Sequence, residues 1–178
     1  MPTVFSHAVV GLTLATAGKA PGSFGLVGAL CAAAPDLDVV GLRFGVPWGH
    51  ALGHRGLTHS LPFAAALAAV LAVTLFRGPA WNGRRARLWL ALFLATASHG
   101  ILDAMTTGGS GVAFLAPFDD TRYFLPWQPI PVSPISLSRF FSRRGVDIMQ
   151  AEIVLLWLPA AVLAIVAAGL RGRRRGRG

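Results

Sequence analysis

The chain has 178 residues, 54% of them hydrophobic and 13% charged, with a mean hydropathy of +0.60. Soluble domains carry about 25% charged residues. Half that share leaves too little polar surface to coat an ordinary cytosolic globule, and the length allows one domain over 1–178. Sixteen Lys and Arg against seven Asp and Glu give a net charge of +9 and a pI of about 11.7. That balance fits either a nucleic-acid binder or a membrane protein with basic loops.

Five apolar segments follow in order: Val4 to Ala17, Phe24 to Ala34, Leu57 to Phe76, Leu88 to Met105 and Ile153 to Leu170. A bilayer-spanning helix takes about 20 residues. The last three segments meet that length. The first two are short, and read as tilted helices, a shallow hairpin or helices packed inside the bundle. Ala15-Thr16-Ala17 resembles a signal-peptide cleavage site, but no Lys or Arg precedes the first segment, which therefore reads as a retained helix. Cys31 is the single cysteine, so an intramolecular disulfide and a CxxC motif are excluded. It reads as a small buried hydrophobe. Pro159, inside the fifth segment, is tolerated in a membrane span. The predicted fold is an all-α, polytopic membrane bundle of about five helices.

The connections differ in character. Residues 17–23 read as a tight turn and 77–87 as a short basic loop. Residues 106–150 are rich in Gly, Pro and aromatics, and the prolines at 126, 129, 131 and 134 forbid regular helix. Their Phe, Trp and Ile content argues against disorder. This stretch is expected to pack as an irregular cap over one membrane face.

Alternating the segments sorts the charges. One set of connections holds Lys19, Arg77, Arg84, Arg85 and Arg87, together with Arg171, Arg173, Arg174, Arg175 and Arg177 of the 171–178 tail: ten cations and no acid. The opposite set holds Arg43, Arg55, Arg122, Arg139, Arg143 and Arg144, and all seven acids. Lys and Arg concentrate on cytoplasmic loops, so the C-terminus is expected in the cytoplasm. The tail then reads as a stop-transfer and headgroup anchor, not a nucleic-acid patch. No nucleic-acid partner is expected.

The histidines and acids gather on the other face. His7 opens segment one, Asp36 and Asp38 end segment two, His54 and His59 enter segment three, and His99 and Asp103 end segment four. Chain direction alone brings all four places to one membrane face. Imidazole and carboxylate suit zinc, with manganese or iron as alternatives. His99 and Asp103, four apart, share a helix face. Of Asp36 and Asp38, one carboxylate binds metal while the other bridges ions or orients a histidine. A two-metal site activating a water has enough ligands here. Single groups of this kind often serve only helix packing, but ionisable side chains at a membrane are costly and point to function. His50 reads as peripheral, and Asp119, Asp120 and Asp147 as solvated.

In order, His7, Pro35-Asp36-Leu37-Asp38, His54-Arg55-Gly56-Leu57-Thr58-His59-Ser60 and Ser98-His99-Gly100-Ile101-Leu102-Asp103 resemble the YdjM-like family of inner-membrane proteins. Pro117-Phe118 and Arg122-Tyr123-Phe124-Leu125-Pro126-Trp127 through Pro134-Ile135 also look like that family. The resemblance implies a metal-dependent hydrolase, distantly similar to zinc-dependent phospholipase C and zinc nucleases. It implies His7, Asp36, Asp38, His54, His59, His99 and Asp103 as the metal site. The soluble relatives hold three zinc ions; this shorter chain is expected to hold two.

The leading expectation is thus a hydrolase of the inner membrane, with its site on the extracytoplasmic face and a phosphoester, lipid-like esters included, as substrate. Asp38 is expected to take part in catalysis. Arg55 is expected to pair with a phosphate oxygen, with interfacial snorkelling as its alternative. Arg122 and Trp127 would frame a lipid-like substrate, Trp127 alternatively being an interfacial anchor. Thr58 and Ser60 are either hydrogen-bond partners behind the ligands or helix N-caps, with capping favoured. The rivals are a non-catalytic scaffold or regulator braced by metal, and an ion transporter, which would hold its ligands near the bilayer midplane.

Overall fold

The computed structural model describes residues 1–17, 22–81 and 83–175. Its secondary structure among these residues is helical, with three isolated bridge pairs and no strand. Ala- and Leu-rich runs are strong helix formers, and in apolar surroundings a helix satisfies its own backbone.

α1 (Val4–Ala17) and α2 (Gly22–Ala33) form a tight pair through small residues. A Cβ on Gly11 would fall 2.3 Å from the Ala32 Cβ, and one on Gly28 would fall 2.3 Å from the Ala15 Cβ. Only glycine allows this approach, the usual device of close membrane helices. Pro35 then opens a 3₁₀ turn, Ala34–Asp38, which carries both aspartates before α3 (Val39–Arg43) resumes.

The Ser60 hydroxyl starts α4 (Leu61–Thr74) by accepting from the Phe63 N–H at 3.2 Å. α5 (Arg85–Ala104) returns beside it, with Trp89 Nε1 donating to the Ala65 carbonyl at 3.1 Å. After the cap come α6 (Leu137–Phe140) and α7 (Arg143–Glu152). A π-helical turn, Ile153–Trp157, joins α7 to α8 (Leu158–Arg175). α8 runs alongside α1 in the same direction. Glu152 bonds Thr3 and Ser6 at one end, while Arg171 Nη1 donates to the Thr16 and Ala17 carbonyls at the other. Those carbonyls are the orphan acceptors of a helix C-terminus.

Segment lengths differ from expectation. Among the described residues, Ser23–Arg43 with 21 residues and Arg143–Arg171 with 29 are long and apolar enough to cross a membrane. The short second segment gains length because its helix continues through the 3₁₀ turn into α3. The third loses it: α4 has 14 residues, about 21 Å at 1.5 Å per residue, because the chain around His59 and Ser60 turns towards the site first. α5 has 20 residues, but arginines at its start and His99 and Asp103 at its end lower its hydropathy.

The irregular cap is also shorter than the 106–150 expected. The prolines end at Pro134, and α6 and α7 occupy 137–140 and 143–152, placing Asp147 on an exposed helix face. The remaining loop is ordered by backbone bonds to the bundle. Ala113 N–H donates to the Arg55 carbonyl at 3.1 Å, Leu61 N–H to Phe114 at 2.9 Å, and Leu125 N–H to Ala104 at 2.8 Å. Val112, Ala113, Ala116 and Ile130 of the loop itself are buried. Most of the predicted turn at 17–23, and residues 176–178 of the tail, lie outside the described residues.

Candidate metal centre

Four helix ends converge under the cap. His7 comes from the first turn of α1, Asp36 from the 3₁₀ turn, His59 from the turn before α4, and His99 and Asp103 from the last turns of α5. The side chains of His7, His59, His99 and Asp103 are fully buried, and that of Asp36 is nearly so.

Their hydrogen bonds decide where the protons sit. His99 Nδ1–H donates to the Ala32 carbonyl at 2.7 Å, so its Nε2 is a bare lone pair. His59 Nδ1 lies 3.0 Å from Thr58 Oγ1 and 3.1 Å from Asp38 Oδ2, which keeps its proton on that side as well. The two Nε2 atoms nevertheless face each other at 3.0 Å. Asp36 Oδ1 lies 3.3 Å from the His99 Nε2 and 3.9 Å from the His59 Nε2. Asp103 Oδ2 is 3.6 Å from His59 Nε2, and Asp103 Oδ1 is 3.4 Å from His7 Nε2. The His7 ring stacks on His99 at 3.6 Å.

This pocket is rich in acceptors and poor in donors. Both ring nitrogens of His7 and all four carboxylate oxygens of Asp36 and Asp103 are buried with no hydrogen-bond partner. Asp103 Oδ2 does lie 3.0 Å from Arg55 Nε, but the contact is an ion pair whose angle fails as a hydrogen bond. Each such orphan costs about 1–3 kcal/mol. A divalent cation removes the cost. Around a tetrahedral ion with bonds of about 2.1 Å, ligand atoms sit about 3.4 Å apart, and the separations above, 3.0–3.9 Å, bracket that value. Two triads, His7–His99–Asp103 and Asp36–His59–His99, have this compactness, and Asp38–His54–His59 is a third. The donor set therefore fits one or two divalent ions of the zinc, manganese or iron type.

Asp38 sits behind this pocket. Its Oδ1 accepts from His54 Nδ1 at 2.7 Å, and its Oδ2 accepts from the Thr58 hydroxyl at 2.7 Å. It thus orients two histidines, both members of candidate triads. Thr58 serves Asp38 and His59 and does not cap a helix, whereas Ser60 is the N-cap of α4.

Two expected substrate contacts differ. Arg55 is buried at a φ of 66°, a conformation uncommon for a residue with a side chain and found at functional sites. That turn aims its guanidinium inward, to Asp103, the Gly108 carbonyl at 3.0 Å and Thr106 Oγ1 at 3.0 Å. It neither snorkels nor stands open. Arg122 donates to the carbonyls of Trp48, His50 and His54 and to Ser110 Oγ. It clamps the 48–54 loop, and partial burial lowers its guanidinium pKa from the ordinary value. Trp127 is exposed on the cap. Trp48 instead lines a cavity of about 310 Å³ beside His54 and Arg55. His50 is exposed, as expected, and Asp119 forms a surface turn in which bonds from Thr121 hold its carboxyl below the ordinary range.

Glu152 is the residue that sequence reasoning passed over. It is fully buried and accepts from the Thr3 N–H, the Thr3 hydroxyl and the Ser6 hydroxyl, while Trp157 Nε1 donates to Ser6 Oγ at 2.8 Å. It fixes the first turn of α1, where His7 sits. Its signal was available: it is the one glutamate in the chain, at the head of an apolar segment.

An apolar helical bundle with a polar, donor-poor pocket at one end defines a membrane protein carrying a candidate metal centre. The chain belongs to the YdjM inner membrane protein family, which matches residues 1–175. It is 41% identical over 167 residues to inner membrane protein YbcI of Escherichia coli (strain K12), covering 92% of this chain and 95% of that one. No solved structure matches the chain. Family and relative place it in the inner membrane.

Proposed function

We propose that this protein is a metal-dependent hydrolase of the inner membrane, acting on a phosphoester from a two-metal His/Asp site. The five apolar segments form the membrane bundle, with α1 and α4 as its short members. The basic hairpin and tail face the cytoplasm, and the site faces the other side. The observation that carries this reading is the cluster of buried acceptors on His7, Asp36, His59, His99 and Asp103.

Bound divalent ions would supply Lewis acidity and an activated water as nucleophile. The chain's own residues do the positioning. Asp38 holds His54 and His59 in one tautomer each. Arg55 balances the charge of Asp103, and its terminal nitrogens, each with one N–H committed, keep one N–H apiece for a substrate oxygen. The cap keeps bulk water from the cluster.

A structural metal would favour the scaffold reading, and it predicts a closed site. The cavity bounded by His54 and Arg55 supports access instead. Ligands at the helix ends, away from the middle of the bundle, are unlike a transporter's. The test is hydrolysis of a chromogenic phosphodiester and phosphomonoester by detergent-purified protein before chelation, after it, and after metal is restored. Activity that vanishes and returns supports the enzyme. Stoichiometric metal with no turnover of either ester supports the scaffold.

A further inference from the structure

The cavity beside the cluster carries a charge, that of Arg139, which the proposed site does not use. Its wall includes Trp48, His54, Arg55, Ser133, Ser136 and Arg139, and no acid. Arg139 is exposed at its rim and has no acidic partner among the described residues. Arg55 is buried in the inner wall with one N–H of each terminal nitrogen uncommitted, and Gly109 packs against it so closely that a Cβ would fall 2.4 Å from Arg55 Nη1. Gly109 has a φ of +105°, a conformation that also disfavours a side chain.

We infer that this cavity is a phosphate-binding subsite in which Arg139 reads the charge of the substrate head group and Trp48 covers its carbon part. Two guanidinium forks lining one pocket, Arg55 in the inner wall and Arg139 exposed, match the several oxygens of a phosphate monoester, which a single carboxylate does not fill. A volume of about 310 Å³ is at the small end of ligand sites. It suits a phosphate with a short polyol, leaves the acyl chains of a lipid outside, and is too small for a nucleotide. The inference rests on the hydrolase reading for what happens to the ester, but not for its binding.

Glycerol 3-phosphate binding, measured by calorimetry on full-length protein in nanodiscs of phosphatidylcholine, tests this, with metal content determined on the same sample. Arg139→Gln is expected to weaken binding roughly tenfold or more, the worth of one charge-assisted hydrogen bond. Arg139→Lys should recover part of it, and Arg143→Gln, an equal charge loss on neighbouring α7, should leave it unchanged. Glycerol should not bind. No binding by wild type, or equal losses in Arg139→Gln and Arg143→Gln, overturns the subsite. Phosphatidic acid added to the nanodisc competes if the phosphate belongs to a lipid and does not if the ester is soluble. Absent metal with Arg139-dependent binding would sink the hydrolase and leave the subsite standing.

Discussion

The two ends of the bundle are made by the same helices and by opposite chemistry. At the end away from the site, Phe24, Phe76 and Trp81 meet edge to face, Phe76 lying 5.0 Å from each of the other two rings. These contacts need no partner beyond each other. At the site end the buried groups are imidazoles and carboxylates, six of whose polar atoms lack a partner. Packing therefore stabilises one end outright, while the other is held in place by its surroundings: the Gly11–Gly28 contact, the Glu152 network and the Arg122 clamp. Those unpartnered atoms are what a bound cation would satisfy.

That contrast can be broken in graded ways. Chelation should have an effect as large as any single substitution, because an ion at a thousandfold excess over its dissociation constant stabilises by about 4 kcal/mol. Thermal unfolding in detergent should drop on chelation in wild type and respond less in Asp36→Asn, which leaves the His7–His99–Asp103 triad in place. Next, Phe76→Ala at the apolar end is expected to cost about 3–5 kcal/mol with metal content unchanged, which a metal assay on the folded variant would check. Asp38→Asn should weaken metal binding about 10- to 100-fold while the bundle stays folded, as read by competitive chelator titration. Glu152→Gln, which turns an acceptor into a donor facing Ser6 and Thr3, should cost about 1–3 kcal/mol in unfolding experiments. Smallest of all, Arg144→Gln on the exposed side of α7 should stay within about 0.5 kcal/mol. A large loss of metal in Phe76→Ala would show that the two ends are one unit.

Much of the site was legible because charged residues are scarce in this chain. Once the apolar segments were drawn, chain direction alone carried His7, Asp36, His59, His99 and Asp103 to the same end, and the structure brings them within a few ångströms. Segment boundaries were harder. Hydropathy does not register that the 3₁₀ turn at Pro35 leaves the second helix free to continue, or that α7 joins the fifth segment through a π turn. Side-chain direction was not legible at all. Arg55 points inward because of one backbone angle, and Arg122 reaches back to three carbonyls 68 to 74 residues earlier. Trp48 and Trp127 both sit in loops, and only the folded cap decides which one meets the cavity.

The most direct measurement is the divalent metal content of the purified protein, by elemental analysis, in wild type and in His99→Ala. His99 is shared by two of the three triads, so its loss should empty both. One to two equivalents of zinc, manganese or iron in wild type and none in the variant is the expected result. A wild-type protein that is folded, holds no divalent ion and takes none up on titration would contradict the metal centre itself.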